Sequence, residues 1–215
     1  MSTAQRPWRG VPSDERQIER RRRLFEATLG LADTSGLAAV TVRGVCALAG
    51  LTNRYFYENF SDTNDLLISL YEELAEQAMT NTAQGMSTTG LDLRSRIRGG
   101  VQAGITSVVD DDRRSRYLLV HATALPELNR RRRQLIGHVA ESWAKTVQQA
   151  YGLGDESSAL AAVSRFVVGG LIELATAFVQ GDVVVPVDDL VESATDMALA
   201  AIEAIALRSP ASAHE

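Results

Sequence analysis

Apolar residues recur along this chain at intervals of three and four, the spacing that gathers them on one face of an α-helix. The alternation of apolar and polar residues that is typical of a half-buried strand is not visible in the sequence, and neither is an internal repeat. The clearest helical run consists of Leu93, Ile97, Val101, Ile105 and Val108. We therefore expect an all-α protein with about nine helices.

The first third of the chain predicts three helices and the start of a longer fourth. Ser13, Thr41 and Thr52 are residue types that cap helix N-termini, and each precedes a stretch with helical spacing. Gly50 supplies a tight turn between the second helix and the third, and residues 61–65 open the fourth. Short helices joined by such a turn are typical of a helix-turn-helix.

The rest of the chain predicts longer helices separated by short loops. We expect Tyr117 to begin a short helix that Pro126 ends, because proline disrupts a helix interior. A long helix follows, and then two apolar helices that residues 181–186 separate. The sequence therefore predicts one domain over residues 13–62 and a second over residues 63–208.

Composition is ordinary for a globular protein of 215 residues, with 45% apolar and 23% charged side chains. The single cysteine, Cys46, excludes an intramolecular disulfide and argues against a cysteine-ligated zinc site. No apolar run approaches the ~18 residues that span a bilayer, and no secretory signal is visible at the N-terminus. We therefore expect a cytoplasmic protein without a membrane partner.

Charge is distributed unevenly along the chain. Residues 1–60 carry nine arginines and six acidic side chains, whereas residues 61–215 carry 13 basic and 21 acidic ones. A basic N-terminal part on an acidic remainder favours a head that binds a polyanion, although the positive excess is modest.

Three segments resemble the DNA-binding region of the TetR family of bacterial regulators. They are residues 41–52 with the Ala-Gly-Leu-Thr turn, the aromatic segment 55–60, and the Asp-Leu-Leu segment 65–67. The resemblance covers residues 20–67 and is architectural beyond them. It implies an N-terminal helix-turn-helix DNA-binding domain on an all-helical C-terminal domain for ligand binding and dimerisation. Thr63 departs from the pattern, because the family usually has a DNA-contacting lysine there.

The resemblance implies that the third helix enters the major groove of DNA. Asn53 can pair with adenine and Arg54 with guanine through two hydrogen bonds each, and Tyr55 can contact a thymine methyl group or a phosphate. Phe56 and Phe60, four residues apart, are expected in the core. The full predicted DNA-binding set is Thr41, Arg43, Thr52, Asn53, Arg54, Tyr55, Tyr57 and Asn59.

Other arginines lie on helices near these positions and in the second domain. Arg16, Arg20 and Arg23 can reach phosphate, but a solvated helix face explains them equally well. In the run Arg130–Arg133, consecutive side chains point about 100° apart around a helix, so they form no stripe for nucleic acid. We expect a solvated segment there with one partly buried stem.

The resemblance also implies a small, largely apolar effector bound among the helices of the second domain. The candidate residues are polar or aromatic side chains on helices that are otherwise apolar. Taken singly, each is better explained as ordinary core or surface. They are Tyr117, His121, Trp143, Glu173 and Phe178.

The last two helices have more apolar surface than one intramolecular face requires. A homodimer that pairs them with their symmetry mates in a four-helix bundle would bury the second face. Gly169 and Gly170 would allow a close approach. The predicted interface contains Val163, Val167, Leu171, Leu174, Leu190, Met197 and Ile202.

Catalytic chemistry finds little support in the sequence. The three histidines, His121, His138 and His214, belong to no grouping with metal-ligand spacing, and no nucleophile motif or phosphate loop is visible. We therefore predict no enzyme, metal or cofactor. The prediction is a ligand-released regulator, most simply a repressor, that binds a near-palindromic DNA operator as a homodimer. The alternative is a helical metabolite-binding protein whose head has lost DNA binding.

Overall fold

A computed structural model describes residues 13–87, 92–151 and 158–206. Within these ranges the regular secondary structure is helical throughout, which confirms the predicted all-α class. The chain divides into two compact units between Leu67 and Ile68. We call the first the head and the second the body, and the division falls inside one long helix.

The described part of the chain contains nine α-helices. A 3₁₀ turn at Leu37–Ala39 precedes the second of them. The helices are α1 Ser13–Ser35, α2 Val42–Ala49, α3 Asn53–Tyr57, α4 Thr63–Met86, α5 Leu93–Val109, α6 Asp112–Ser115, α7 Pro126–Tyr151, α8 Ser158–Gln180 and α9 Val187–Ala206.

The head forms around aromatic and aliphatic side chains from α1, α2, α3 and the start of α4. Phe56 and Phe60 are 0% and 2% exposed, and their ring centroids are 5.8 Å apart, which confirms their predicted place in the core. Thr41 caps α2, because its hydroxyl accepts a hydrogen bond from the Gly44 amide at 3.1 Å. Gly50 ends α2 at φ 61°, a conformation that favours glycine.

The segment before α7 differs from its predicted form. A short helix was expected from Tyr117, but the chain is helical from Asp112, passing through a π turn at Arg116–Val120 and a 3₁₀ turn at His121–Thr123. Asp111 explains the earlier start, since its carboxylate accepts hydrogen bonds from two backbone amides of the first turn. Pro126 is the first residue of α7, where a missing amide hydrogen costs nothing.

The body packs α8 against α7 and α9, and α9 against α5. Its core contains Ile97, Trp143, Val147 and Ala194, all at most 6% exposed. Helices α4 and α5 approach most closely where Gly85 meets Gly99, because a Cβ on Gly85 would lie 2.8 Å from the Gly99 carbonyl carbon. The pair Gly99–Gly100 inside α5 therefore permits close helix packing.

Helix α8 is unusually apolar. Over Ala159–Gln180 its mean hydropathy is 1.6, so by length and composition alone this segment could cross a membrane. It is an exception to the expectation that no apolar run approaches the length of a bilayer span. That evidence is weak, because the helix contains Arg165 and Glu173 and packs against α7 and α9. Only 28% of the segment is buried within the chain, so much of its apolar surface faces outward.

Candidate nucleic-acid interface and ligand cavity

The turn between α2 and α3 is held by an arginine from α1. Nη2 of Arg23 donates hydrogen bonds to the carbonyl oxygens of Ala49 and Gly50, the latter at 3.3 Å. These carbonyls end α2 and lack helical partners of their own. Arg23 therefore fixes the turn and does not lie on a free cationic face. The sequence contains no local signal for this role, because 26 residues separate donor and acceptor along the chain.

Two more arginines of α1 pack on aromatic rings. The guanidinium of Arg20 lies 4.6 Å from the centroid of the Tyr55 ring, and Arg21 lies 4.7 Å from Phe25 and 4.8 Å from Phe60. Such contacts stabilise the pair through the electrostatic field of the ring face. Arg20 is also 4.0 Å from a carboxylate oxygen of Glu58. These contacts hold α3 against α1.

One face of α3 stays in solvent. Asn53 and Tyr57 are exposed, with Tyr57 at 60%. The side chain of Arg54 is 84% exposed, and its Nε donates a hydrogen bond to Glu58 at 3.0 Å. That bond uses Nε. The two terminal amino groups of Arg54, which are the groups that pair with guanine, take no part in it.

Two of the residues predicted to contact DNA, Tyr55 on α3 and Asn59 just after it, make contacts within the head itself. Tyr55 is half-buried beneath Arg20, and the amide of Asn59 donates a hydrogen bond to the Tyr55 carbonyl at 2.8 Å. These contacts within the head reduce what the two side chains can offer to another molecule.

The residues predicted to contact the DNA backbone lie at the entrances of α2 and α3. Thr41 and Thr52 occupy the N-cap positions, but only the Thr41 hydroxyl caps its helix. The Thr52 hydroxyl makes no such bond and is exposed. Arg43 is exposed, and no hydrogen bond or ion pair involves it within the described residues. Thr52 and Arg43 therefore have polar groups that could donate hydrogen bonds to a phosphate.

The start of α4 is capped by acidic groups. The amide of Asp65 donates to the Asp62 carboxylate at 2.8 Å, and the Asp65 carboxylate accepts from the Ser61 amide at 2.8 Å. Thr63, where the family usually has lysine, is half-buried in the first turn. This helix end has a negative charge on its cap, so it attracts a phosphate less than a bare helix end would.

The body contains a cavity of about 330 Å³. Its wall is almost wholly apolar and comes from α4, α5, α7, α8, α9 and the π turn. Met86 and Gly100 face each other across the close crossing of α4 and α5, and a Cβ on Gly100 would collide with the Met86 side chain. Pockets of this size and polarity bind small organic molecules.

Few polar side chains line the cavity. They are Tyr71 and Thr82 from α4 and Arg132, His138 and Ser142 from α7. The Thr82 hydroxyl already donates to the Ala78 carbonyl at 2.8 Å. Burial raises the pKa of Tyr71 to about 12, and the nearby charge of Arg132 opposes this rise. Tyr71 is therefore a neutral hydrogen-bond donor at physiological pH.

The five residues suggested for effector binding are spread over the body. Trp143 lines the cavity, but the other four are not part of its wall. Tyr117 is 0% exposed in the core, and its ring centroid lies 6.4 Å from that of His121. Phe178 packs against the core cluster of α5, α7, α8 and α9. The Glu173 side chain is 74% exposed, because it lies on the outer face of α8.

The residues suggested for a dimer interface divide between the core and the surface. Val167, Leu190 and Ile202 are at most 6% exposed and lie in the core of the chain itself. Val163, Leu171 and Leu174 are partly buried against that core, and Met197 is 57% exposed. The large apolar side chain that α8 exposes lies one position along, at Phe166, which is 74% exposed. The sequence sets this register only weakly, because Arg165 and Glu173 are the two charged side chains of a largely apolar helix.

No family model matches the sequence, and no curated protein matches it. Solved structures do match its fold. A TetR family transcription regulator from Marinobacter aquaeolei VT8 is 21% identical with a TM-score of 0.66, and the match covers 87% of this chain and 97% of that one. The fatty acid degradation regulator FadR from Bacillus halodurans is 16% identical with a TM-score of 0.72, covering 84% and 94%.

FadR from Bacillus subtilis, solved in complex with stearoyl-CoA, is 14% identical with a TM-score of 0.69, covering 84% of this chain and 98% of that one. At such identities the likeness shows the fold alone. The chain has the fold of TetR-family regulators, a helix-turn-helix head on an all-helical body. The resemblance predicted from the sequence is confirmed at the level of the fold.

Proposed function

We propose that this chain is a TetR-type transcription regulator of the bacterial cytoplasm that binds DNA through α3. The observation that supports this most strongly is the exposed face of α3 on a firmly held turn. Asn53 and Arg54 extend into solvent, whereas Arg20 and Arg23 fix the helix from behind. A short helix held in this way can enter a major groove with its first residues at the base edges.

The proposal includes a homodimer formed through α8 and α9. Phe166 and Met197 expose large apolar side chains there, and a Cβ on Gly169 or Gly170 would meet nothing within 4 Å. Glycine in a helix costs about 1 kcal/mol relative to alanine, so two open glycines gain nothing within one chain. A second copy packed closely against them would explain their presence.

The proposal also includes repression relieved by a small molecule in the cavity. Helix α4 begins in the head unit and contributes Tyr71, Met79 and Met86 to the cavity wall in the body. A ligand that binds one arrangement of α4 better than another shifts the DNA-binding equilibrium by that difference in affinity.

DNA binding is tested with duplexes selected from a random pool by the full-length chain. Fluorescence anisotropy should show that Arg54→Ala reduces discrimination between selected and scrambled duplexes about 10- to 100-fold. Arg43→Ala should weaken binding to both duplexes equally, because a phosphate contact does not depend on the base sequence. The control is Arg133→Ala, an exposed arginine of the body, which should change neither duplex.

Salt provides an independent measurement on the same duplexes. A dimer that makes about six to ten phosphate contacts should lose roughly 10³- to 10⁵-fold in affinity between about 50 and 200 mM salt. Failure to select any duplex, or a flat salt response, would contradict the DNA-binding proposal. A chain that still bound a cavity ligand would then be a metabolite-binding protein with an inactive head.

The dimer is tested by light scattering at micromolar concentration. Phe166→Arg should give a monomer, because an arginine on this face would be buried without a partner in the proposed interface. Ile18→Arg is the control, since Ile18 is 67% exposed in the head and should leave the mass unchanged. A wild-type chain that scatters as a monomer yet binds operator with full affinity would refute the dimer.

A further inference from the structure

The cavity has one permanently charged residue in an otherwise apolar wall. Among the described residues that line it, Arg132 alone has a fixed charge. Its side chain is 18% exposed, and its Nε is buried with no hydrogen-bond partner within the described residues. Withdrawing a guanidinium from water without supplying an acceptor is unfavourable. Such a group is satisfied when an anion enters beside it.

The neighbours of Arg132 do not neutralise it. The nearest carboxylate, that of Glu173, is 4.0 Å from Nη2 and belongs to a side chain that is 74% exposed, so solvent screens the pair. Two other arginines also have a buried Nε without a partner, but both are otherwise engaged. Arg131 pairs with Glu72 at 2.8 Å, and Arg20 lies on the Tyr55 ring.

Tyr71 lies within the electrostatic field of Arg132. The charge of Arg132 lowers the pKa of the Tyr71 hydroxyl, although burial has the larger effect and raises it. Both side chains line the cavity, and Tyr71 is 2% exposed. A protonated hydroxyl and a guanidinium that line the same cavity provide two kinds of donor for an oxyanion.

We propose that the cavity binds a medium-chain alkyl carboxylate, with the carboxylate at Arg132 and Tyr71 and the alkyl chain among the apolar side chains. This inference rests on the proposed function, because it names the effector class of the same cavity. A water-sized group occupies about 30 Å³ in the liquid, so a cavity of about 330 Å³ holds about eleven non-hydrogen atoms. Octanoate and decanoate match that size.

The apolar wall is suited to such a chain. Met79 and Met86 have flexible side chains that adapt to a ligand of variable length, and Ile97, Val101 and Trp143 form a fixed surface opposite a bare Cα at Gly100. A bulky polar ligand would find no further charged group to pair with among these described residues.

Calorimetry on the full-length chain without DNA tests the inference. Octanoate should bind, whereas 1-octanol and octylamine, which lack the negative charge, should bind at least about 10-fold more weakly. Arg132→Met should weaken octanoate about 10- to 100-fold and leave 1-octanol unchanged, and the retained octanol binding would show that the cavity is intact. Arg133→Met is the matched control, one residue along the same helix and exposed.

Three results would overturn the inference: octanol binding as tightly as octanoate to the wild type, octanoate binding unaffected by Arg132→Met, or octanoyl-CoA binding more tightly than octanoate. None of these concerns DNA, so the regulator proposal would stand. Conversely, a chain that bound octanoate through Arg132 but selected no duplex would leave this inference intact and refute the proposed function.

Discussion

Two segments of this chain have the same sequence of four arginines, and the structure uses them differently. Arg20–Arg23 lies on α1 of the head and Arg130–Arg133 on α7 of the body. In each run the side chains point about 100° apart, so every residue meets a different neighbour. In the head, these neighbours are aromatic rings, backbone carbonyl groups and, for Arg22, a carboxylate. In the body, they are carboxylates, a cavity and water.

The four arginines of the head mainly stabilise the head itself. Arg20 and Arg21 stack on aromatic rings, Arg23 closes the turn after α2, and Arg22 pairs with Glu19 at 2.7 Å on the surface. A charge count would assign these arginines to DNA, but three of the four contact other parts of the head. Arg43 and Arg54, by contrast, have exposed side chains, although Arg54 pairs with Glu58.

The body run is divided between surface and interior. Arg130 pairs with Glu127 and Arg131 with Glu72, Arg133 is exposed, and Arg132 lines the cavity. The expected solvated segment with one partly buried stem is thus confirmed, and the buried one is Arg132. Identical residues therefore differ in function according to the face of the helix they occupy.

The chain also contains two Gly-Gly pairs inside helices, Gly99–Gly100 on α5 and Gly169–Gly170 on α8. A substitution in the first pair has the largest expected effect. Gly99→Ala should lower the free energy of unfolding by about 3 kcal/mol, because its Cβ would meet the Gly85 carbonyl group and backbone cannot yield as a side chain can. Urea denaturation followed by circular dichroism measures the change. Both variants are made in the Phe166→Arg background, which removes the proposed dimer contact. There Gly170→Ala is the control and should not destabilise the monomer, since its Cβ meets nothing within 4 Å. Equal effects would contradict the observed α4–α5 crossing.

A smaller effect is expected from the arginine that closes the turn. Arg23→Met keeps the aliphatic stem but removes the hydrogen bonds to Ala49 and Gly50, which should destabilise the head by about 1.5 kcal/mol. Hydrogen exchange of the α2 and α3 amides should accelerate accordingly. Arg22→Met, which removes only an exposed pair with Glu19, should leave exchange unchanged. Equal exchange rates in the two variants would show that the hydrogen bonds of Arg23 do not stabilise the turn.

The smallest effect is expected from the ring contacts. Arg21→Met should destabilise the head by about 0.5–1 kcal/mol, because methionine covers the rings of Phe25 and Phe60 but lacks the charge. The midpoint of urea unfolding, followed by hydrogen exchange in the head, resolves a change of this size. Arg21→Lys should recover part of the loss, and a lysine variant no better than methionine would exclude a cation–π contribution.

Much of the fold follows from local patterns in the sequence. Thr41, Gly50 and the spacing of Phe56 and Phe60 predict the helix-turn-helix, because capping, left-handed glycine and helical periodicity act within a few residues. The aspartates at 110–112 are typical either of the end of one helix or of a cap for the next, and the structure uses Asp111 as the cap of α6. Pro126 was assigned to the end of one helix although it begins the next.

The sequence by itself determined most of the helices and the exposed polar positions at the start of α3, because these depend on short-range geometry and amphipathic spacing. Only the tertiary structure decided which arginine braces a turn and which lines a cavity, and which side of α8 faces outward. Those outcomes depend on contacts between residues far apart in the chain, such as Arg23 with Ala49. Helix α8 is apolar around most of its circumference and has only two charged side chains, Arg165 and Glu173, so its sequence gives only a weak signal of which face points outward.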